Sequence, residues 1–396
     1  MMRLELGPEE QALLERVRGL GQQYLRPLGI EADRNRAPVP PDHPFFRLAW
    51  QMGIGQPIGA DEGSGRAEGP RTTARRGVLL AEEMSYWDRG MSVAMPGLGL
   101  GGPPLFSMGT AEQKERFLAP FRDRSRPHWA AFGMTEPGAG SDVAGIQTTA
   151  TRDGDAWVLN GAKTFISNSM RADWIVVWAT VDKSLGRAGH RAFIVERETP
   201  GLEDLRYEHK MGLIAYESSS FSLRDCRVPA FHLLGGEAHY AGRSGFKGAM
   251  KSFNATRPAI AVMAIGIARA AYDAARDFAR AHYRLDRPIP RYQRYREKLA
   301  RMARKIEVGR LLCWRAAWLA DVERPNEVEA SMAKAFCPTI AQEAASLAVE
   351  ILGDAGVVND HYVEKLYRDV KAMDIVEGTG QIQRIVMARR LVGLPA

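Results

Sequence analysis

The apolar residues of this 396-residue chain change their period twice, and that alternation limits its fold more than any other feature. Leu13, Leu14, Val17 and Leu20 recur at three-to-four spacing, as do Val78, Leu79, Glu82 and Glu83, which is the period of an amphipathic helix. Past residue 129 the period falls towards two. Trp157-Val158-Leu159, residues 174–181 and residues 191–197 are rich in β-branched and aromatic side chains, which suit strands. After about residue 240 the helical spacing returns. Ile260, Met263, Ala264, Ile267 and Ala271 form one face, Leu299, Met302, Ile306, Gly309, Leu312 and Trp318 a second, and residues 330–352 a third.

The pattern predicts a mainly α chain with a central β-domain. An N-terminal α-helical domain covers residues 1–128. A middle antiparallel, barrel- or sandwich-like domain covers 129–238, and an up-and-down bundle of about four helices covers 239–396. Pro38, Pro40, Pro41 and Pro44 separate early helices, and the glycine-rich stretch 59–69 reads as a surface loop. Asn160-Gly161 between two apolar runs predicts a tight hairpin, because both residues tolerate positive φ. Arg257 is expected to open a long helix.

Several classes of function are disfavoured. No stretch approaches eighteen apolar residues and the N-terminus has no apolar core, so neither a membrane span nor export is expected and the chain reads as cytoplasmic. Three scattered cysteines do not make a disulfide framework, and eight histidines without HExxH suggest no metal site. The net charge of +7 is interleaved with acids, as in Arg276-Asp277 and Arg296-Glu297, and is not gathered into a nucleic-acid-binding stripe.

Two segments more than two hundred positions apart carry chemistry. Residues 132–142 read Phe-Gly-Met-Thr-Glu-Pro-Gly-Ala-Gly-Ser-Asp. Such a loop can be a plain turn, with hydroxyls satisfying stray amides. Its amides and hydroxyls at 134, 135 and 141 can also face a planar, polar ring edge. No Gly-Lys-Ser/Thr follows, so it is not a P-loop. The second segment places Glu377 between apolar Ile375-Val376 and a helix start capped by Thr379. That carboxylate either serves the helix dipole or acts as a base whose apolar neighbours raise its pKa. Phe165 is either a core residue on an alternating strand or a ring contact for a ligand.

The order of these units resembles the acyl-CoA dehydrogenase family of flavoenzymes, over about residues 7–392. Four motifs carry the resemblance: Thr135-Glu136-Pro137-Gly138-Ala139-Gly140-Ser141-Asp142, Asn160-Gly161-Ala162-Lys163, Arg257-Pro258 and Glu377-Gly378-Thr379. It implies FAD as cofactor, with the flavin against Phe132, Met134 and Thr135, Phe165 on its face and Ser167 aimed at N5. A tryptophan is commoner than phenylalanine at position 165 in relatives. Ser141, Arg257, Val376 and Gly378 fall at acyl-CoA positions, with Arg257 ordering the site. Glu377 falls at the base that takes the α-proton while a hydride leaves the β-carbon. The thioester carbonyl would receive two hydrogen bonds, from the Glu377 N–H and a ribityl hydroxyl of FAD.

The resemblance also implies a flavin shared between subunits of a homotetramer, with contacts from Arg284, Gln293, Glu350, Gly353, Thr379 and Gln381. Here the chain departs from the family pattern. His282, Glu350 and Asp354 remove positive charge or add negative charge near the expected pyrophosphate, which Arg284 or Arg287 can offset. The implied reaction converts an acyl-CoA to its trans-2-enoyl thioester and passes electrons to an electron-transferring flavoprotein. The alternatives are an acyl-CoA oxidase that uses dioxygen, and a non-catalytic acyl-thioester-binding or structural subunit of the same fold. Val376, smaller than the aromatic often found before the base, hints at room for a bulky or branched chain.

Overall fold

A computed structural model gives the architecture and describes residues 6–55, 73–241, 245–358 and 362–394. The stretch 59–69, expected to be a surface loop, lies outside the described residues. Among the described residues six α-helices come first: α1 (Pro8–Leu20), α2 (Arg26–Asn35), α3 (Pro44–Gln51), α4 (Thr73–Ala94), α5 (Gly102–Met108) and α6 (Ala111–Arg122). Seven strands follow: β1 (Ala130–Gly133), β2 (Thr149–Asp153), β3 (Ala156–Ser167), β4 (Trp174–Thr180), β5 (His190–Glu196), β6 (Leu202–Tyr207) and β7 (Ser218–Pro229). The short α7 (Gly236–Tyr240) leads to α8 (Gly245–His282), α9 (Pro290–Asp321), α10 (Glu327–Leu352), α11 (Tyr362–Val370) and α12 (Gly380–Leu391).

The strands make one sheet in the order β1-β4-β2-β3-β7-β6, with β5 on β4. It is mixed, not antiparallel as expected. β1 and β2 run parallel to β4, because the long connection between β1 and β2 brings the chain back without a hairpin. Nor is Asn160-Gly161 a turn. It lies inside β3 at a register shift, and a Cβ on Gly161 would fall 2.5 Å from Thr148 Oγ1. The glycine therefore serves a close approach between neighbouring segments. Asn160 locks β3 to β7, accepting from the Asp225 N–H at 2.8 Å. The actual turn is Gly154-Asp155, closed by the Asp153–Ala156 pair, with Gly154 at φ +61° in open space.

In the bundle, α8 was expected to bury one face. Ala261, Val262, Ala264, Ile265, Ile267, Ala268, Ala270 and Ala271 are all buried, a wider arc than the single expected face. It runs through the middle, packed by α4, α9 and α10. Small residues make this packing possible: a Cβ on Gly266 would sit 2.3 Å from the Glu82 carbonyl oxygen. Residues 257–282 are long and apolar enough to cross a membrane by composition, yet 67% of their most apolar eighteen-residue window is buried inside the protein, as a central core helix would be. Arg257 and Pro258 lie within α8 and do not open it.

Glu82 and Glu83 are buried on the inner face of α4, where an apolar pair would be usual. Arginines from other helices meet them. Arg269 and Arg310 each reach Glu82 Oε1 at 2.8 Å, and Arg18 reaches Glu83 at 3.2 Å. Burial raises the Glu82 carboxyl, but Arg310 and Arg269 outweigh it and hold the group below its ordinary value. α4 itself breaks at Asp88, which is extended at φ −165°. The Asp88 carboxylate restarts the helix by accepting from the Met91 N–H at 2.8 Å. It also receives the buried Lys365 ammonium at 2.6 Å, which is shared with Asp369 at 2.5 Å.

Candidate active site

The segment that delivers Glu377 turns twice through the left-handed region. Glu377 has φ +54° and Gly378 φ +91°, after which Thr379 caps α12 by accepting from the Ile382 N–H at 3.3 Å. For a residue with a side chain this conformation costs about 1–2 kcal/mol, so surrounding structure must impose it. The buried Lys334 ammonium donates to the Met373 carbonyl at 2.8 Å, and Gln383, buried under the turn, donates weakly to the Gly378 carbonyl at 3.5 Å. A Cβ on Gly378 would meet Gln383 Nε2 at 2.7 Å. The result is a carboxylate set ahead of the helix, with Oε2 buried and without a hydrogen-bond partner among the described residues.

Burial pushes the Glu377 carboxyl up to about 7, against the pull of Arg89, Lys334 and Arg257. Three basic side chains from α4, α10 and α8 therefore converge on one acid. Arg89 also acts on the buried Tyr216 phenol, which in turn is hydrogen-bonded by the Ser167 hydroxyl at the end of β3. Through Tyr216 and Arg89, the chain's fold brings Ser167 into the neighbourhood of Glu377. Val376 packs on the bundle core and Arg257 lies among the same charges.

The Thr-Glu-Pro loop is built on a buried ion pair. Lys163 Nζ, fully buried on β3, lies 2.7 Å from Glu136 Oε1 and 3.1 Å from the Met134 carbonyl. Glu136 also accepts from the Gln147 and Thr148 amides at 2.5 and 3.0 Å. Burial pushes the Lys163 ammonium down to about 8 while Glu136 pulls it up. Glu136 and Ala139 exchange backbone bonds around Pro137-Gly138, which tightens the turn. Because Lys163 and the Thr164 N–H occupy the carbonyls of Met134 and Thr135, the loop has amide N–H groups to offer a ligand. Ser141 is exposed at its far end, and Phe132 is half-buried on β1.

Phe165 is not a core residue. It is 61% exposed, at φ +56° beside a register shift in β3. A large aromatic side chain held strained and open to solvent, next to Thr164, whose N–H donates to the Thr135 carbonyl, fits the flat face and polar edge of a flavin.

The remaining positions lie elsewhere on this chain. Arg284 follows the end of α8, roughly 37 Å along the helix from Arg257 at 1.5 Å per residue. Gln293 begins α9, and Glu350 and Gly353 end α10, roughly 24 Å or more from Lys334 on the same scale. All four are exposed. Glu350 is ion-paired with Lys298, and Arg284 faces Asp286 at 3.5 Å. Near them Tyr283 stacks on Tyr295 and donates to the Ile351 carbonyl at 2.7 Å. Gln381 is exposed on the first turn of α12. Sequence reasoning missed Arg89, Tyr216, Lys334 and Gln383. Two of them carry a visible signal: Asp88-Arg89 interrupts an apolar stretch, and Lys334 is isolated in the alanine-rich α10.

Comparison with known proteins agrees with this architecture throughout. The acyl-CoA dehydrogenase N-terminal, middle and C-terminal domain families match residues 7–124, 131–226 and 243–392. A probable acyl-CoA dehydrogenase of Bacillus subtilis (strain 168), YngJ, is 35% identical over 99% of this chain and 100% of its own. Butyryl-CoA dehydrogenase from Megasphaera elsdenii superposes with a TM-score of 0.87 at 32% identity, covering 99% of this chain and 100% of that one. The glutaryl-coenzyme A dehydrogenase–glutaryl-CoA complex gives a TM-score of 0.87 at 28% identity, over 100% and 98% of the two chains. With its helical, sheet and helical units in this order, the chain belongs to the acyl-CoA dehydrogenase family of FAD-dependent oxidoreductases.

Proposed function

We propose that the chain dehydrogenates an acyl-CoA thioester between its α and β carbons, with Glu377 as the base. The observation that carries this reading is the buried, unpartnered Glu377 Oε2, whose pKa of about 7 suits proton abstraction near neutrality. The α-proton goes to Glu377 and the β-hydrogen leaves as hydride, which gives the trans-2-enoyl thioester. Bound FAD supplies the hydride acceptor. Met134, Thr135, Phe165 and Ser167 would hold its ring, and Phe132, Thr379 and Gln381 would complete the contacts. The Glu377 N–H would donate to the thioester carbonyl and acidify the α-carbon. Ser141, Arg257, Val376 and Gly378 would position the acyl-CoA.

Arg284, Gln293, Glu350 and Gly353 are too far along their helices to serve this chain's own site, so we assign them to a flavin bound by a neighbouring copy in a homotetramer. Ile385, Leu391 and Val392 are exposed on and just past α12, where a groove of about 350 Å³ is lined by Leu312, Met332, Ala335, Phe336 and Met387, with Arg384 as its one charged residue. That apolar face supports pairing of bundles. Electrons would leave to an electron-transferring flavoprotein, in the cytoplasm. A panel of acyl-CoA thioesters assayed with an artificial electron acceptor tests the activity. Stoichiometric enoyl product is expected, and a flavin-loaded protein inert to the whole panel would sink the reading.

A further inference from the structure

α4 breaks at Asp88, and the groups that hold the break come from α11. The Tyr362 hydroxyl donates to the Tyr86 and Trp87 carbonyls at 3.3 and 3.2 Å, just ahead of the break. One turn along α11, the buried Lys365 ammonium reaches one oxygen of Asp88, while the other receives the Met91 N–H. α2 leaves room for this close fit, since a Cβ on Gly29 would lie 2.0 Å from Asp88 Oδ2. Arg89 is the next residue, so its place follows from the break.

Lys365 also holds a second segment. Its ammonium is shared with Asp369, whose other oxygen accepts from the Leu213 N–H. That segment lies directly on α11: a Cβ on Gly212 would fall 2.6 Å from the Arg368 carbonyl carbon. Tyr216 follows Leu213 by three residues. The two segments meet where Gly90 faces Ala215, with a Cβ on Gly90 only 3.1 Å from the Ala215 Cβ. Both then grip the end of β3. Asn168, next to Ser167, donates its side-chain amide to the Val93 carbonyl at 2.7 Å and its N–H to the Glu217 carbonyl at 3.0 Å. Arg89, Tyr216 and Ser167 belong to three separate segments. Lys365 with its two carboxylates joins the first two, and the third rests on them.

Resting on the reading of Glu377 as the base, we infer that Lys365 is a positioning residue for the reaction, acting through Asp88 and Asp369 to fix where Arg89 and Tyr216 stand beside Glu377 and Ser167. Its effect on the base runs through Arg89. Burial raises the Glu377 carboxyl against the pull of Arg89, Lys334 and Arg257. Lys334 stands on α10 and Arg257 on α8, outside the segments that Lys365 holds. Loosening the clamp therefore moves one cation away from the base and leaves two in place. A buried ion cluster that only supported the core could be exchanged for neutral side chains without touching the chemistry.

The test uses the full-length, FAD-loaded protein with an artificial electron acceptor and the double variant Lys365→Met/Asp369→Asn. This variant removes one positive and one negative charge together, so the local charge balance is kept while the clamp is lost. With a thioester that the parent turns over, kcat is expected to fall roughly 10²-fold, the scale on which a small misplacement of a site costs rate. The midpoint of the rising limb of kcat/KM against pH should move up by about one unit. Lys365→Arg serves if the double variant does not fold: it keeps the charge, but its longer head displaces Asp88, and the midpoint should move the same way. Asp321→Asn is the control. Asp321 accepts from the Ala74 and Arg75 amides at the far end of α4, at 2.8 and 3.3 Å, so its loss should lower stability without moving the midpoint. An unchanged midpoint in the folded Lys365 variant, or an equal shift in Asp321→Asn, overturns the inference and leaves Glu377 as the base. A flavin-loaded parent that turns over no thioester overturns both readings.

Discussion

Lys334 donates its ammonium to the Met373 carbonyl at 2.8 Å, tying the buried side of α10 to the turn that presents Glu377 four residues later. Burial pushes this ammonium down to about 8, while Asp374 and Glu377 pull it up. The same charge lowers the Glu377 carboxyl. Lys334→Met removes a cation from the base and a tether from its turn. The rising limb of kcat/KM against pH should therefore move to higher pH, and the maximum should fall. A midpoint unchanged from the parent enzyme would mean that Lys334 does not act on the base.

The base itself gives the sharpest kinetic prediction. A glutamate that must be ionised to take a proton, with a pKa of about 7, makes kcat/KM rise as pH climbs through neutrality. Glu377→Gln should lower turnover roughly 10²–10⁴-fold and erase that limb. The flavin absorption spectrum should not change, because the amide keeps the shape of the carboxyl group. A glutamine variant that retains the parent rate would remove Glu377 from the mechanism.

The raised carboxyl also predicts how stability depends on pH. The folded state binds the Glu377 proton more tightly than the unfolded chain does, with a pKa of about 7 against 4.5. Between those values the native state holds more protons, so stability falls as pH rises from 4.5 to 7. The ceiling on this loss is about 3 kcal/mol, at 1.36 kcal/mol per unit. It is a ceiling because part of the residue remains open to solvent. Glu377→Gln has no such titration. Denaturant unfolding at pH 8 should show the variant more stable than the parent, and the advantage should shrink at pH 4.5. An equal difference at both pH values would place the effect elsewhere.

How far the sequence could be read follows the range of the forces involved. The period changes that divide helices from sheet were legible because each amphipathic element records its own buried face. α8 was misread as one-faced because a helix packed by three others buries more than one stripe, and Ala261, Val262 and Ala268 look like ordinary fillers. Asn160-Gly161 has ideal turn chemistry, but the glycine answers to Thr148 on another segment, which local rules do not see. The parallel pairing of β1 with β4 is likewise set by a distant return of the chain. Glu377 and Thr379 stood out because an acid and a cap before a helix are a local pattern. Arg89 did not. Its direction depends on the break at Asp88, which is held by Lys365 at a sequence separation of 277.

The last prediction concerns the loop proposed to hold the flavin ring. Lys163 and Glu136 meet at 2.7 Å in a buried site, and the Gln147 and Thr148 amides share the carboxylate. Lys163→Met leaves Glu136 buried without its cation and should cost roughly 3–5 kcal/mol. Adding Glu136→Gln removes the stranded charge, so the double variant should regain part of that loss. The double-mutant cycle should show coupling of about 1–3 kcal/mol. The Lys163 ammonium also holds the Met134 carbonyl, so its loss should loosen the amides offered to the ring and weaken FAD retention, read as faster flavin release in titration with apoprotein. Additive effects of the two substitutions would show that the pair is not coupled, and the loop would then owe its shape to the Pro137-Gly138 turn alone.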